Sequence, residues 1–323
     1  MKKLFAVMLV LVVASHLVFA AGARETETRT LRLAHVFATD HPVHLGAERA
    51  KSQLEERTNG ALTLQIYPNA TYAGYDDAVR GVQSGALDLA PVDTAVNFYP
   101  PSGVLLGPYT FRDYDHWLAF KDSSVAAELK ETISEKMGLK YLQFYQFGFR
   151  HATANRPARR PEDFAGLRLR VVDFAPYPEA ATVLNARPTA MPIQDVYMAL
   201  STRVADGQEN PFTQILTMKF YEVQDYLILT GHMLATTGIA MAQNTWESLT
   251  AEQQTIASEV FSDMADYIDQ IVIQNAQQML DELKDLGMNV IEVDIAPFQA
   301  RVPMVLEKYP EWEELYYAIQ AIQ

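Results

Sequence analysis

Arg168 and Arg170 alternate with Leu167, Leu169 and Val171 in the run LRLRVV. A strand here turns one arginine the opposite way from the aliphatic side chains beside it. A guanidinium held at a strand end forks onto a carboxylate through two parallel charge-assisted hydrogen bonds. Further on, DGQENP sets Asn210 ahead of Pro211. The residue before a proline is extended or in a turn, which leaves its amide free to bind. These residue types suit a small anion. The plainer reading is that a strand arginine is a solvated charge and Asn-Pro an ordinary turn.

The elements around these residues follow from periodicity. Residues 31–37 alternate as a strand, 44–60 read as an amphipathic helix stopped at Asn59-Gly60, and 61–68 as a second strand. A helix over 75–85 ends at Gly85, and 87–92 is a third strand. This βαβαβ rhythm predicts a mostly parallel sheet with helices on its faces and ligands beyond the carboxyl ends of its strands. The Pro-, Gly- and aromatic-rich stretch 97–115 reads as a loop over the core, and 115–137 as a helix ending at Gly138. The runs 139–150 and 225–243 are long enough to cross between two domains, and 151–235 is a second α/β set. Trp246–Leu286 is compatible with helix, interrupted only around Thr250, and holds no heptad, so it reads as a spine rather than a coiled coil. A strand at 289–294 and two helices close the chain. Multiple crossings without a flexible linker predict an α/β clamshell of two lobes joined by stiff hinge strands. The expected lobes are 24–147 plus 236–275, and 148–235 plus 276–323, with the anion site chiefly in the second.

Residues 1–23 have the form of a secretory leader: Lys2 and Lys3, an apolar run from Leu4 to Val13, and small residues before a cleavage point. The run is short for a membrane span of about 20 residues. The chain has no cysteine, hence neither a lipid-anchor cysteine nor a disulfide. Its formal charge is −14, and loss of the leader's two lysines makes it more negative. Such a chain is a poor partner for nucleic acid or an anionic membrane surface. Any anion must bind through a local positive pocket. A periplasmic, freely soluble protein is the expectation.

PEDFAGLRLRVV, MPIQDVYMAL and DGQENPF, taken in order with TNGALTLQIYPNATYAG, VQSGALDLA and KFYEVQDYLILTGH, resemble the periplasmic solute-binding proteins of TRAP transporters, DctP type. The likeness covers nearly all of the chain after the leader. It implies a two-lobed periplasmic-binding-protein fold that captures a small organic acid by lobe closure and delivers it to integral-membrane permease subunits, without catalysis or a cofactor. It implies that Arg170 makes the main salt bridge to a substrate carboxylate, that Arg150 in FGFR adds a second positive contact, and that Asn210 fixes ligand orientation. For Arg150 a hinge salt bridge is the alternative. Arg168 is expected to point away from Arg170 and to be structural. Two residues depart from the family pattern. RVVD replaces RVP, which brings Asp173 near Arg170, where it disfavours a second ligand carboxylate. Ile193 stands where many members carry phenylalanine. Asp173 favours a sugar acid or a hydroxy or keto monocarboxylate over a four-carbon dicarboxylate, and Ile193 leaves a differently shaped wall.

In the first lobe His35, Tyr72, Tyr75 and Asp93 fall near strand ends and are expected to close over the ligand. A rival reading gives His35, His41 and His44 to zinc, although such sites need three or four convergent ligands. No GxSxG, HExxH or GxxxxGK[ST] motif and no cysteine nucleophile is present.

Overall fold

The computed structural model describes residues 28–323; the leader expected over 1–23 lies outside the described residues. The strands are β1 (Arg29–Ala34), β2 (Leu62–Tyr67), β3 (Leu89–Pro91), β4 (Leu139–Ala154), β5 (Arg168–Val171), β6 (Arg187–Ala190), β7 (Gly207–Pro211), β8 (Tyr226–Ala242) and β9 (Asn289–Glu292). They join in one sheet of order β2-β1-β3-β8-β4-β7-β5-β6, with β9 also paired to β8. β1 is parallel to β2 and β3, and β5 is parallel to β6 and β7, as expected of two α/β sets. β4 and β8 run antiparallel to each other along nearly their whole lengths. At one end β8 pairs with β3; at the other, β4 pairs with β7 and β8 with β9. These two strands therefore belong to both lobes, and the sheet is mixed rather than mostly parallel.

Local signals place the helices. The first, Pro42–Arg57, starts earlier than its periodicity indicated. Pro42 needs no N–H partner in the first turn, and His41 caps the helix by accepting from the Val43 amide through Nδ1. The expected helix 115–137 is two helices, Tyr114–Lys121 and Ser124–Met137, because Ser123 accepts from the Ala126 amide and begins a new helix. The stretch over the core winds into 3-10 turns at Thr94–Asn97 and Pro100–Leu106, burying Val104, Leu105 and Leu106. Thr250 and Gln253 form a capping box, so the spine begins at Ala251 and runs to Asp285. At 1.5 Å per residue that helix is about 50 Å long.

The spine touches both cores. Phe261, Met264 and Ile268 pack with Leu31, Leu33, Val43 and Leu54, while Leu283 packs with Ile215, Phe220 and Leu227. Asp269 fastens it to the crossing strand. It accepts from the Gln146 amide at 2.8 Å, from Trp117 Nε1 at 3.0 Å and from Lys121 Nζ at 2.6 Å, all buried. Beyond the spine, Lys308 and Arg301 contact Glu179 and Thr182 of the second lobe. The last residues turn back onto the segment 100–116. Trp312 Nε1 donates to the Pro100 carbonyl, His116 bonds the Ile319 carbonyl, and Gln320 reaches the Thr110 carbonyl. Among the described residues no helix is long and apolar enough to cross a membrane.

Candidate ligand-binding site

A cavity of about 400 Å³ lies where the two α/β sets meet. The first set contributes Val36, Phe37, Tyr75, Asp76 and Asp93; the crossing strand β4 contributes Phe147 and Arg150; the second set contributes Arg170, Asp173, Tyr177, Ile193, Asn210 and Gln214. Of the nine residues expected at the site, seven share this cavity, and His35 and Tyr72 do not line it.

Arg170 sits in the middle of β5 with 1% of its surface exposed. Its Nε and Nη2 donate to the Met191 carbonyl at 3.0 and 2.7 Å. Pro192 holds Met191 in extended backbone, which aims that carbonyl. Nη1 is buried and has no hydrogen-bond partner among the described residues. Burial pushes the guanidinium down to about 10, opposed by the Glu209 charge, so it remains cationic at neutral pH. A buried cation without a paired anion is costly, and an incoming carboxylate relieves that cost. Arg168 shares Arg170's strand face, two residues away, and is not turned opposite. It differs because it begins the strand, where it is exposed and pairs with Asp206 at 2.7 Å.

Arg150 is equally buried but already matched. Its Nε and Nη2 fork onto the Glu209 carboxylate, Nη2 at 2.8 Å from Oε1, and Nη2 also reaches the Glu209 carbonyl at 2.8 Å and Asn210 Oδ1 at 3.1 Å. Its guanidinium carbon lies 5.0 Å from the Tyr177 ring centre. His232 completes the set, with Nε2 3.2 Å from Glu209 and Nδ1 2.8 Å from the Thr230 hydroxyl. Burial pushes the Glu209 carboxyl up, but Arg150 and His232 outweigh it and hold it at about 2. The Asn210 amide is committed too: Oδ1 to Arg150 and Nδ2 to Gln208 Oε1. Glu209 carries no signal of this role in the sequence, because its partner lies 59 residues away and meets it only through the β4–β7 register.

The sequence profile described as bacterial extracellular solute-binding protein, family 7 (DctP) matches residues 33–312. The chain belongs to this family. A TRAP periplasmic solute-binding protein of Bordetella bronchispeptica, with density assigned to pantoate, superposes with a TM-score of 0.85 at 31% identity over 92% of this chain and all of that one (100%). One from Haemophilus influenzae with bound L-gulonate gives 0.85 at 26% identity, covering 91% and 99%. The sialic acid-binding periplasmic protein SiaP of Vibrio cholerae is 29% identical over 90% of this chain and 92% of its own length. These relatives bear out the two-lobed α/β fold.

In this family 7 protein the first-lobe wall is acidic and aromatic. The Asp93 amide donates to Tyr75 Oη at 2.6 Å, while Asp93 Oδ1 is buried without a partner among the described residues. Burial raises the Asp93 carboxyl to about 7. Asp173 stands exposed at the rim and pairs with neither arginine. Tyr72 is an exposed residue whose hydroxyl donates to the Ala86 carbonyl at 3.3 Å, away from the cavity. His35 follows the end of β1 and turns inward, Nε2 lying 3.1 Å from His44 Nδ1; Val36 and Phe37 line the cavity in its place. That pairing also defeats the zinc reading. Two of the three imidazoles bond each other, His41 points to Gln214, and no group of three ligating side chains converges among the described residues.

Proposed function

We propose that this protein captures a hydroxylated monocarboxylate, a sugar acid foremost, by closing its lobes over it, and hands it to the integral-membrane subunits of a TRAP transporter. The observation that carries the reading is the buried Arg170 Nη1, which has no partner among the described residues, in a cavity otherwise rimmed by Asp76, Asp93 and Asp173. Arg170 anchors the ligand carboxylate, closure strips water from the contact and strengthens it, and the carboxylates accept from ligand hydroxyls. Gulonate and sialic acid, bound by two of the relatives above, and the pantoate assigned to density in the third are all hydroxylated monocarboxylates. A four-carbon dicarboxylate is the second reading. It needs Arg150 for its other charge, and Glu209 already holds that group. Export through the leader at 1–23 places the protein outside the cytoplasmic membrane, in keeping with the extracellular description of the family. The lobes in this proposal are 24–147, 236–275 and 310–323 against 148–235 and 276–309.

The test is thermal unfolding of the chain lacking residues 1–23 against aldonates, uronates, sialic acid, 2-keto acids and four-carbon dicarboxylates. A ligand at 100 times its Kd adds about 2.7 kcal/mol, a shift of a few degrees. The expected hit is a sugar acid whose effect vanishes in Arg170→Ala. A dicarboxylate as the sole hit replaces the first reading with the second.

A further inference from the structure

Gln214 stands on the short helix Phe212–Thr217 just after the Asn210-Pro211 turn, and its side chain lines the ligand cavity. Its amide meets His41 of the other lobe, with His41 Nε2 3.3 Å from Gln214 Oε1. The protonation pattern of His41 settles which end of the amide is used. Its Nδ1 accepts the Val43 N–H at 3.2 Å, so in the neutral ring the proton must sit on Nε2. The ring is 1% exposed and clamped, stacked on Phe37 with centres 4.3 Å apart and met edge-on by Phe147 at 5.9 Å. Neither charging nor flipping is available to it, since burial pulls its pKa to about 3. His41 is thus a fixed donor, and Gln214 must answer with its carbonyl oxygen. The NH2 end of the amide is left over. It has no acceptor among the described residues and belongs to a side chain on the cavity wall.

We propose that Gln214 is a specificity-determining residue whose carboxamide NH2 donates to a hydroxyl or carbonyl oxygen of the bound acid, and that His41 is the positioning residue that holds this end of the amide toward the ligand. The inference rests on the sugar-acid reading above and extends it. The site has a donor for the ligand's oxygen-rich body as well as one for its carboxylate. The contact also joins the helix Pro42–Arg57 to the second lobe, so the reading group is set only when both lobes hold their places.

Calorimetric titration with D-galacturonate and L-gulonate tests this. Gln214→Leu weakens whichever acid binds by about fivefold or more, the worth of one neutral hydrogen bond. Gln214→Met keeps the length of the side chain and removes the N–H without adding a charge, so it weakens the same acid should the leucine variant fail to fold. His41→Phe keeps the stacking and loses the donor. It weakens binding in the unaltered background and adds nothing on top of Gln214→Leu. Additive losses in that double variant would reduce His41 to a packing residue and overturn its part of the proposal. Binding within twofold of the unaltered protein in folded Gln214 variants overturns the proposal while the sugar-acid reading stands. If the unaltered protein binds neither these acids nor any other aldonate or uronate, both fall together.

Discussion

At the scale of single residues, two charges with opposite problems meet in the cavity. Arg170 is a buried cation without a paired anion among the described residues, so Arg170→Met is expected to raise the melting temperature of the ligand-free protein by a few degrees while abolishing the ligand-induced shift. Arg170→Lys keeps the charge but loses the fork, and affinity for the carboxylate falls by about 10- to 100-fold, the range for charged hydrogen bonds. Asp93 is the reverse case, with its carboxyl raised from 3.8 to about 7 by burial. A raised carboxyl favours folding most when protonated. Its contribution is full below pH 3.8 and declines as pH climbs through 7. Asp93→Asn is therefore more stable than the unaltered protein at pH 8, and melting curves taken down to pH 4 should show the gap closing. A monoanionic ligand should bind more weakly at pH 8 than at pH 6, a slope the same variant flattens. Arg170, Asn210 and Asp93 were legible in the sequence because residue type and neighbours marked them. Their states were not. Whether an arginine is free or paired depends on a partner from another strand, and Glu209 became Arg150's partner only through the β4–β7 pairing.

At the scale of elements, β4 and β8 are both wall and hinge. Their pairing slips between Gln146 and Phe149, where Gly148 adopts φ 116° and its amide donates to Gln146 Oε1 at 2.6 Å. An added Cβ at Gly148 would lie 3.2 Å from Pro211 Cβ in a conformation that L side chains rarely adopt. Gly148→Ala is expected to cost about 1–3 kcal/mol and to alter the closure rate, measured by stopped-flow fluorescence with the ligand. The spine's hold on β4 gives a second test. Asp269→Ala leaves Trp117 Nε1 and the Gln146 amide without their acceptor and Lys121 with Asp266 alone, 2.8 Å away, and the loss should reach about 3 kcal/mol in denaturant titrations. Combining it with Lys121→Met should restore part of that loss. The crossing strands and the spine were readable because length alone separates them from ordinary strands and helices. The split at Ser123 and the early start at Pro42 were set by caps, which periodicity does not register.

At the scale of the molecule, an acidic chain takes up an anion. Long-range repulsion slows encounter, so the association rate for a carboxylate should rise as salt is raised from about 10 to 150 mM, with the dissociation rate little changed. A strongly falling association rate would mean that a positive field reaches beyond the cavity. The two-lobed plan was legible from the order of elements, whereas the packing of the last helix onto residues 100–116 depends on Trp312 and Gln320 finding partners some 210 residues upstream. Glu209 also bears on what the whole protein will carry. By keeping an internal anion against Arg150, the protein leaves Arg170 as the one cavity arginine whose charge no carboxylate matches among the described residues, while Asp76, Asp93 and Asp173 make the rest of the wall negative. In the proposed reading the pocket is then a valence gauge: a guest's first carboxylate meets Arg170, and a second meets only like charge.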